Sequence, residues 1–162
     1  MIEKENDFEV VEYKSDGKQE DVDKYLTIGR VSGGKMSNFG KGKTILSVED
    51  NPANRIILQN FLTSNGFKVI NAPDGEQGLE MIINNKPDII IADIQLPKMD
   101  GLELTRTIRK NTDPKINKLP IIFATAYALI GDAEKGMEAG GDAYITKPYN
   151  FNELLDTLKK YI

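Results

Sequence analysis

IIIADIQLPKMDG, residues Ile89 to Gly101, is an apolar run that ends on one carboxylate, Asp93, and then breaks into a turn. A run such as Ile89-Ile90-Ile91-Ala92 has the pattern of a strand buried on both faces, as in parallel sheets. A carboxylate beside such a strand is costly to bury unless a cation or hydrogen bonds compensate it. Asp93 therefore needs a reason to stand where the strand stops. A second acidic pair, Glu49-Asp50, stands at the end of another apolar run and begins to supply one.

From Lys43 onward, apolar runs alternate with helical patterns five times. The expected strands are Thr44–Glu49, Phe67–Asn71, Asp88–Ala92, Ile121–Ala124 and Ala143–Thr146. The first helix follows Asp50-Asn51-Pro52, a cap and a proline near the helix start, and closes at Asn65-Gly66. The second carries Leu79, Ile82 and Ile83 and stops before Pro87. Leu104 and Ile108 mark the third. The fourth, Asp132 to Ala139, is the weakest, since Gly136 costs it roughly 1 kcal/mol relative to Ala. The fifth starts at Asn150 with Glu153 three residues on, in the manner of a capping box, and carries Phe151, Leu154, Leu155 and Leu158.

Five strand–helix units predict an α/β fold: an open, doubly wound, five-stranded parallel sheet with helices on both faces. Such sheets bind ligands beyond the carboxyl ends of their strands, at the topological switch point. In the flavodoxin-like order 2-1-3-4-5 that point lies between strands one and three, which end in Glu49-Asp50 and Asp93. Three carboxylates then share one crevice. They repel one another, and a hard divalent cation removes the conflict. Mg²⁺ suits such a group, because it takes one or two carboxylates and leaves room for phosphate oxygens. Strand four leads into Ala124-Thr125-Ala126, a hydroxyl between small residues, and strand five into Thr146-Lys147-Pro148, a cation at the same edge. A carboxylate nucleophile, a metal, a hydroxyl and a lysine form a site for receiving a phosphoryl group.

Four motifs in this order resemble the receiver domain family of two-component response regulators. They are ILSVEDN at Ile45–Asn51, IIIADIQLPKMDG, PIIFATA at Pro120–Ala126 and GGDAYITKP at Gly140–Pro148. The likeness runs from Lys43 to Ile162. It implies that Asp93 accepts the phosphoryl group and that Asp50 and Asp93 bind Mg²⁺ directly. Glu49 would act through water, the main-chain carbonyl of Gln95 would complete the protein ligands, and Thr125 and Lys147 would contact the phosphoryl group. Tyr144 takes the place of the switch aromatic, and the Lys147–Pro148 bond is expected cis. Glu49 stands where Asp is commoner. The donor would be a histidine kinase or histidine phosphotransfer protein, and the output a downstream protein effector. Such a domain catalyses its own phosphorylation and dephosphorylation without ordinary substrate turnover.

Composition bounds these expectations. The chain has 162 residues, 40% of them apolar and 28% charged, ordinary values for one globular domain. A net charge of −4 argues against nonspecific nucleic-acid binding. No apolar run approaches the roughly 18 residues of a membrane span, and the charged start is no signal peptide, so a cytoplasmic location is expected. The absence of cysteine and histidine removes disulfides, thiolate or imidazole metal sites and His-based nucleophile pairs, so a phosphohistidine must come from a partner.

Residues 1–42 are polar and Gly-rich, a tail or linker ahead of a domain at 43–162, with a possible hairpin of Phe8–Tyr13 and Tyr25–Ile28. Nothing after Ile162 resembles an output module, so a stand-alone regulator is expected. The alternative is the C-terminal receiver of a hybrid histidine kinase. An aspartyl-nucleophile phosphohydrolase is disfavoured, because Gln95 stands where those enzymes need an acid; an inert scaffold is disfavoured by the complete acidic cluster. Gly42-Lys43-Thr44 imitates the end of a phosphate-binding loop, but Ser37 replaces its first glycine and Thr44 opens a strand where a helix is required.

Overall fold

The apolar runs become five parallel strands: β1 (Thr44–Val48), β2 (Lys68–Ala72), β3 (Ile89–Ala92), β4 (Ile121–Thr125) and β5 (Ala143–Thr146). They form one sheet in the order β2-β1-β3-β4-β5, the expected flavodoxin-like winding. Burial follows the order. Every residue of β3 and β4 is buried, as is β1 after its first residue, whereas the edge strands β2 and β5 are only partly covered. That is why the central strands are continuously apolar. The computed structural model describes residues 38–126 and 131–162, so the hairpin suggested near the N-terminus lies outside the described residues.

Helix α1 (Pro52–Ser64) starts where Asn51 caps it, its side-chain oxygen accepting from the amides of Ala53 and Asn54, and Pro52 follows at the first helical position. Asp74 caps α2 (Gly75–Asn85) and Asp100 caps α3 (Gly101–Arg109) in the same way. Helix α4 (Asp132–Ala139) has no side-chain cap, and its preceding residue, Gly131, is left-handed. Asn150 caps α5 (Phe151–Lys159) by accepting from the Glu153 amide, the donor its spacing predicted. One further helical turn, Pro114–Asn117, precedes β4; it is closed by Asp113 and had no counterpart in the sequence pattern.

The helices divide between the sheet's two faces. Leu58, Phe61 and Leu62 of α1 and Leu154 and Leu158 of α5 pack with Ile45, Ile91, Ile122 and Ile145. Ile82 of α2 and Leu104 and Ile108 of α3 pack with Leu46, Val48, Ile90 and Phe123 on the other face. Each such side chain contributes about 1.5–3 kcal/mol by leaving water. Gly136 of α4 has a packing reason: a Cβ there would stand 2.8 Å from the ring of fully buried Phe123. Among the described residues, no helix is long and apolar enough to cross a membrane.

Candidate functional site

The site lies at the carboxyl ends of β1 and β3. Val48 pairs with Ala92 in register, so the next residues, Glu49 and Asp93, leave the sheet side by side. The Asp93 amide donates to the Val48 carbonyl at 3.0 Å and the Glu49 amide to the Ala72 carbonyl at 3.0 Å, which fixes both main chains. Carboxylate oxygens of Glu49, Asp50 and Asp93 lie within 4.8 Å of one another. Glu49 and Asp93 are buried and Asp50 is exposed.

Lys147, one residue beyond β5, reaches between the two buried acids. Its Nζ is 2.6 Å from Glu49 Oε2 and 2.6 Å from Asp93 Oδ2, and its side chain is 8% exposed. The remaining oxygens are also engaged. Glu49 Oε1 accepts from the Asn51 amide and Asp93 Oδ1 from the Gln95 amide, each at 3.0 Å. Among the described residues, no hydrogen bond reaches the Asp50 carboxylate. Burial raises the Glu49 pKa above the ordinary carboxylate value, although Lys147 and the Asn51 amide oppose the rise. Burial also works against the Lys147 ammonium, but its bonds to Asp93 and Glu49 outweigh that cost and hold its pKa above the usual lysine value. Three carboxylates still face one ammonium. The donors are all oxygen and one acid is free, so the set fits a hard divalent cation such as Mg²⁺.

The loop after Asp93 is tightly closed. The Gly101 amide donates to the Ile94 carbonyl at 2.8 Å, and a Cβ on Gly101 would run into the Asp93 carbonyl. Only glycine admits that approach. On the opposite rim, Thr125 ends β4 buried, and its carbonyl accepts from the Lys147 amide at 2.9 Å. The Lys147–Pro148 peptide is cis. Tyr144 lies further back on β5, opposite Phe123. Its hydroxyl is enclosed with no hydrogen-bond partner among the described residues, and burial, with a smaller push from Asp132, raises its pKa.

The fold thus brings Glu49, Asp50, Asp93 and Lys147 together, sets Gln95 and Thr125 beside them, and leaves Tyr144 apart. Thr44 opens β1, at the opposite end of that strand from Glu49, so the Gly42-Lys43-Thr44 imitation leads into no helix. Three neighbours had no signal in the sequence. Tyr149 is buried behind the site, where burial and the charges of Glu49 and Asp93 push its phenol pKa up. Arg55 reaches from α1 to the carbonyls of Glu49 and Asp50. Lys98, in a left-handed conformation at φ 64°, approaches the Asp74 cap at 3.4 Å and ties the loop after Asp93 to α2.

The family model described as the response regulator receiver domain matches residues 45–159. The polar-differentiation response regulator DivK of Brucella anthropi is 33% identical over 120 residues, covering 74% of this chain and 96% of that protein. A putative response regulator of Chloroflexus aurantiacus superposes with a TM-score of 0.70 at 35% identity, over 75% of this chain and 98% of that one. The receiver domain of a Pseudomonas aeruginosa sensor histidine kinase gives 0.68 at 38% identity, over 74% and 97%; its crystal structure holds a magnesium ion in the active-site cleft.

Proposed function

Because this chain belongs to the response regulator receiver domain family of two-component phosphorelay signalling, we propose that Asp93 is its phosphoacceptor. The donor is a phosphohistidine on a histidine kinase or a histidine phosphotransfer protein. The single observation that carries this reading is Lys147 Nζ seated 2.6 Å from both Glu49 and Asp93, with Asp50 free beside them.

Asp93, Asp50 and the Gln95 carbonyl would hold Mg²⁺ directly, with Glu49 acting through water. Bound there, the ion neutralises the acids and the incoming phosphoryl oxygens. A carboxylate oxygen of Asp93 attacks phosphorus, the new O–P bond forming as the donor's P–N bond breaks and the imidazole leaves. Lys147 then exchanges its bond to Asp93 for one to a phosphoryl oxygen, and the Thr125 hydroxyl donates to another. The drawn-in Thr125 and the aromatic Tyr144 alter the surface of α4, β5 and α5 for a downstream protein partner, in the cytoplasm.

Intact mass after incubation with acetyl phosphate and Mg²⁺ tests the assignment. One added phosphate is expected, absent in Asp93→Asn and in EDTA; full labelling in either case overturns it. The likeness to the receiver of a sensor histidine kinase favours a second arrangement, in which this receiver works as part of a kinase chain. Immunoblotting of native cells separates the two: a band near 18.1 kDa supports the stand-alone form, and a much larger one the kinase form.

A further inference from the structure

Asp50 is the acid of the cluster with nothing to aim it. Glu49 and Asp93 each spend both carboxylate oxygens on Lys147 and a backbone amide, whereas Asp50 is exposed and its carboxylate has no hydrogen-bond partner among the described residues. Its direction is therefore set by its main chain. That main chain is gripped from outside by one side chain. Arg55, half-buried in the first turn of α1, turns back so that Nη1 donates to the Glu49 carbonyl at 2.8 Å and the Asp50 carbonyl at 3.3 Å. Its own amide donates to the Asn51 carbonyl at 3.1 Å, so helix and loop are tied by both the main chain and the side chain of Arg55.

We propose that Arg55 is a positioning residue for the cation site: by holding the carbonyls on both sides of Asp50, it keeps that carboxylate turned toward Asp93. The proposal rests on the reading of this cluster as an Mg²⁺ site. Two physical effects of Arg55 oppose each other there. As a positive charge near the acids, it repels an incoming cation, so its removal should tighten binding. As a clamp, it spares the site the entropy of ordering a loop and a ligand, so its removal should weaken binding. The exposed edge of the site screens the charge effect, while the two hydrogen bonds are short-range and lost outright. The clamp dominates.

Mg²⁺ titration by calorimetry at fixed ionic strength, on the full chain, separates the two. Arg55→Gln is expected to weaken Mg²⁺ binding about 10-fold, the lower bound for loss of an orienting partner of a metal ligand. Arg55→Lys keeps the charge but replaces the planar fork by a single ammonium, and is expected to fall between the two. Amide chemical shifts of Glu49 to Asn51 in EDTA should move in both variants. Binding by Arg55→Gln as tight as wild type or tighter overturns the proposal, as does a lowered melting temperature with unchanged Mg²⁺ affinity in either variant. Should Arg55→Gln not fold, Arg55→Lys decides by the same criterion. Wild-type protein that binds no Mg²⁺ overturns the functional reading itself, an outcome distinct from wild-type binding that the variants leave unaltered.

Discussion

Glu49 and Asp50 are adjacent in the chain, yet their surroundings assign them different work. Glu49 is 3% exposed and both its oxygens are committed, one to Lys147 and one to the Asn51 amide. Asp50 is exposed, and its carboxylate has no hydrogen-bond partner among the described residues. A cation approaching the crevice gains a whole carboxylate from Asp50 but must compete with Lys147 for Glu49. Asp50→Asn should therefore weaken Mg²⁺ binding by 10-fold or more and Glu49→Gln by distinctly less, as measured by calorimetric titration; equal losses would refute this division. Lys147 also determines how Glu49 responds to pH. Burial lifts the Glu49 pKa above the ordinary carboxylate value, so the folded state binds that proton more tightly than the unfolded chain and stability falls as pH rises through that window. Lys147→Met removes the partner that opposes this lift. The variant's deficit in urea unfolding should be smallest near pH 4 and grow toward pH 7, reaching a few kcal/mol, on the order of a broken buried pair. A deficit independent of pH would mean that Lys147 acts by packing alone.

Where an element packs determines what its sequence costs. Gly136 lowers the helix propensity of α4, and on propensity alone Gly136→Ala should gain about 1 kcal/mol. The new methyl would stand 2.8 Å from the fully buried Phe123 ring, which has no room to retreat. Overpacking of that kind costs about 1–3 kcal/mol, so the substitution should destabilise on balance, seen as a lower urea midpoint; a raised midpoint would show that α4 shifts freely. The segment before β1 makes a comparable contribution. Phe39 meets Phe67 edge-on at 5.6 Å, Lys159 Nζ lies 5.9 Å above the Phe39 ring, and the Gly40 amide donates to the Asn65 carbonyl at 2.8 Å. A chain starting at Lys43 should fold and accept phosphate but lose about 2 kcal/mol relative to one starting at Asn38, the worth of one partly buried aromatic. These contacts explain what was legible in the sequence. The strands, the capped starts of α1 and α5 and the acidic ends of β1 and β3 follow from periodicity, caps and turn residues, which are local. The ring beneath Gly136, the seat of Phe39, the helical turn at Pro114 and the reach of Arg55 depend on what the fold brings alongside, and no spacing announces them.

The molecule as a whole places its charge conflict at one edge of the sheet and, among the described residues, a helix without a side-chain cap against the neighbouring β5. Thr125 joins the two, since it ends β4 at the site and its strand partners β5, which carries Tyr144. Helix α4 starts without a side-chain cap and leaves Met137 exposed, so it has fewer restraints than α1 or α5. On the proposed mechanism, a phosphoryl group on Asp93 would give the Thr125 hydroxyl a new acceptor. The enclosed Tyr144 hydroxyl has no partner to lose among the described residues, so rotation of that ring costs no hydrogen bond seen here. A local charge would thus bias a two-state element, and the shift would reach only as far as differential contacts carry it. Amide spectra with and without beryllofluoride and Mg²⁺ should show their largest changes at the site, in Thr125, through α4 and around Tyr144, with little change in α1. Tyr144→Ala should keep the changes at Asp93 and Thr125 while shrinking those at β5. Changes confined to the loops of Asp50 and Asp93, or unaltered at β5 in Tyr144→Ala, would place the output of this receiver on another face.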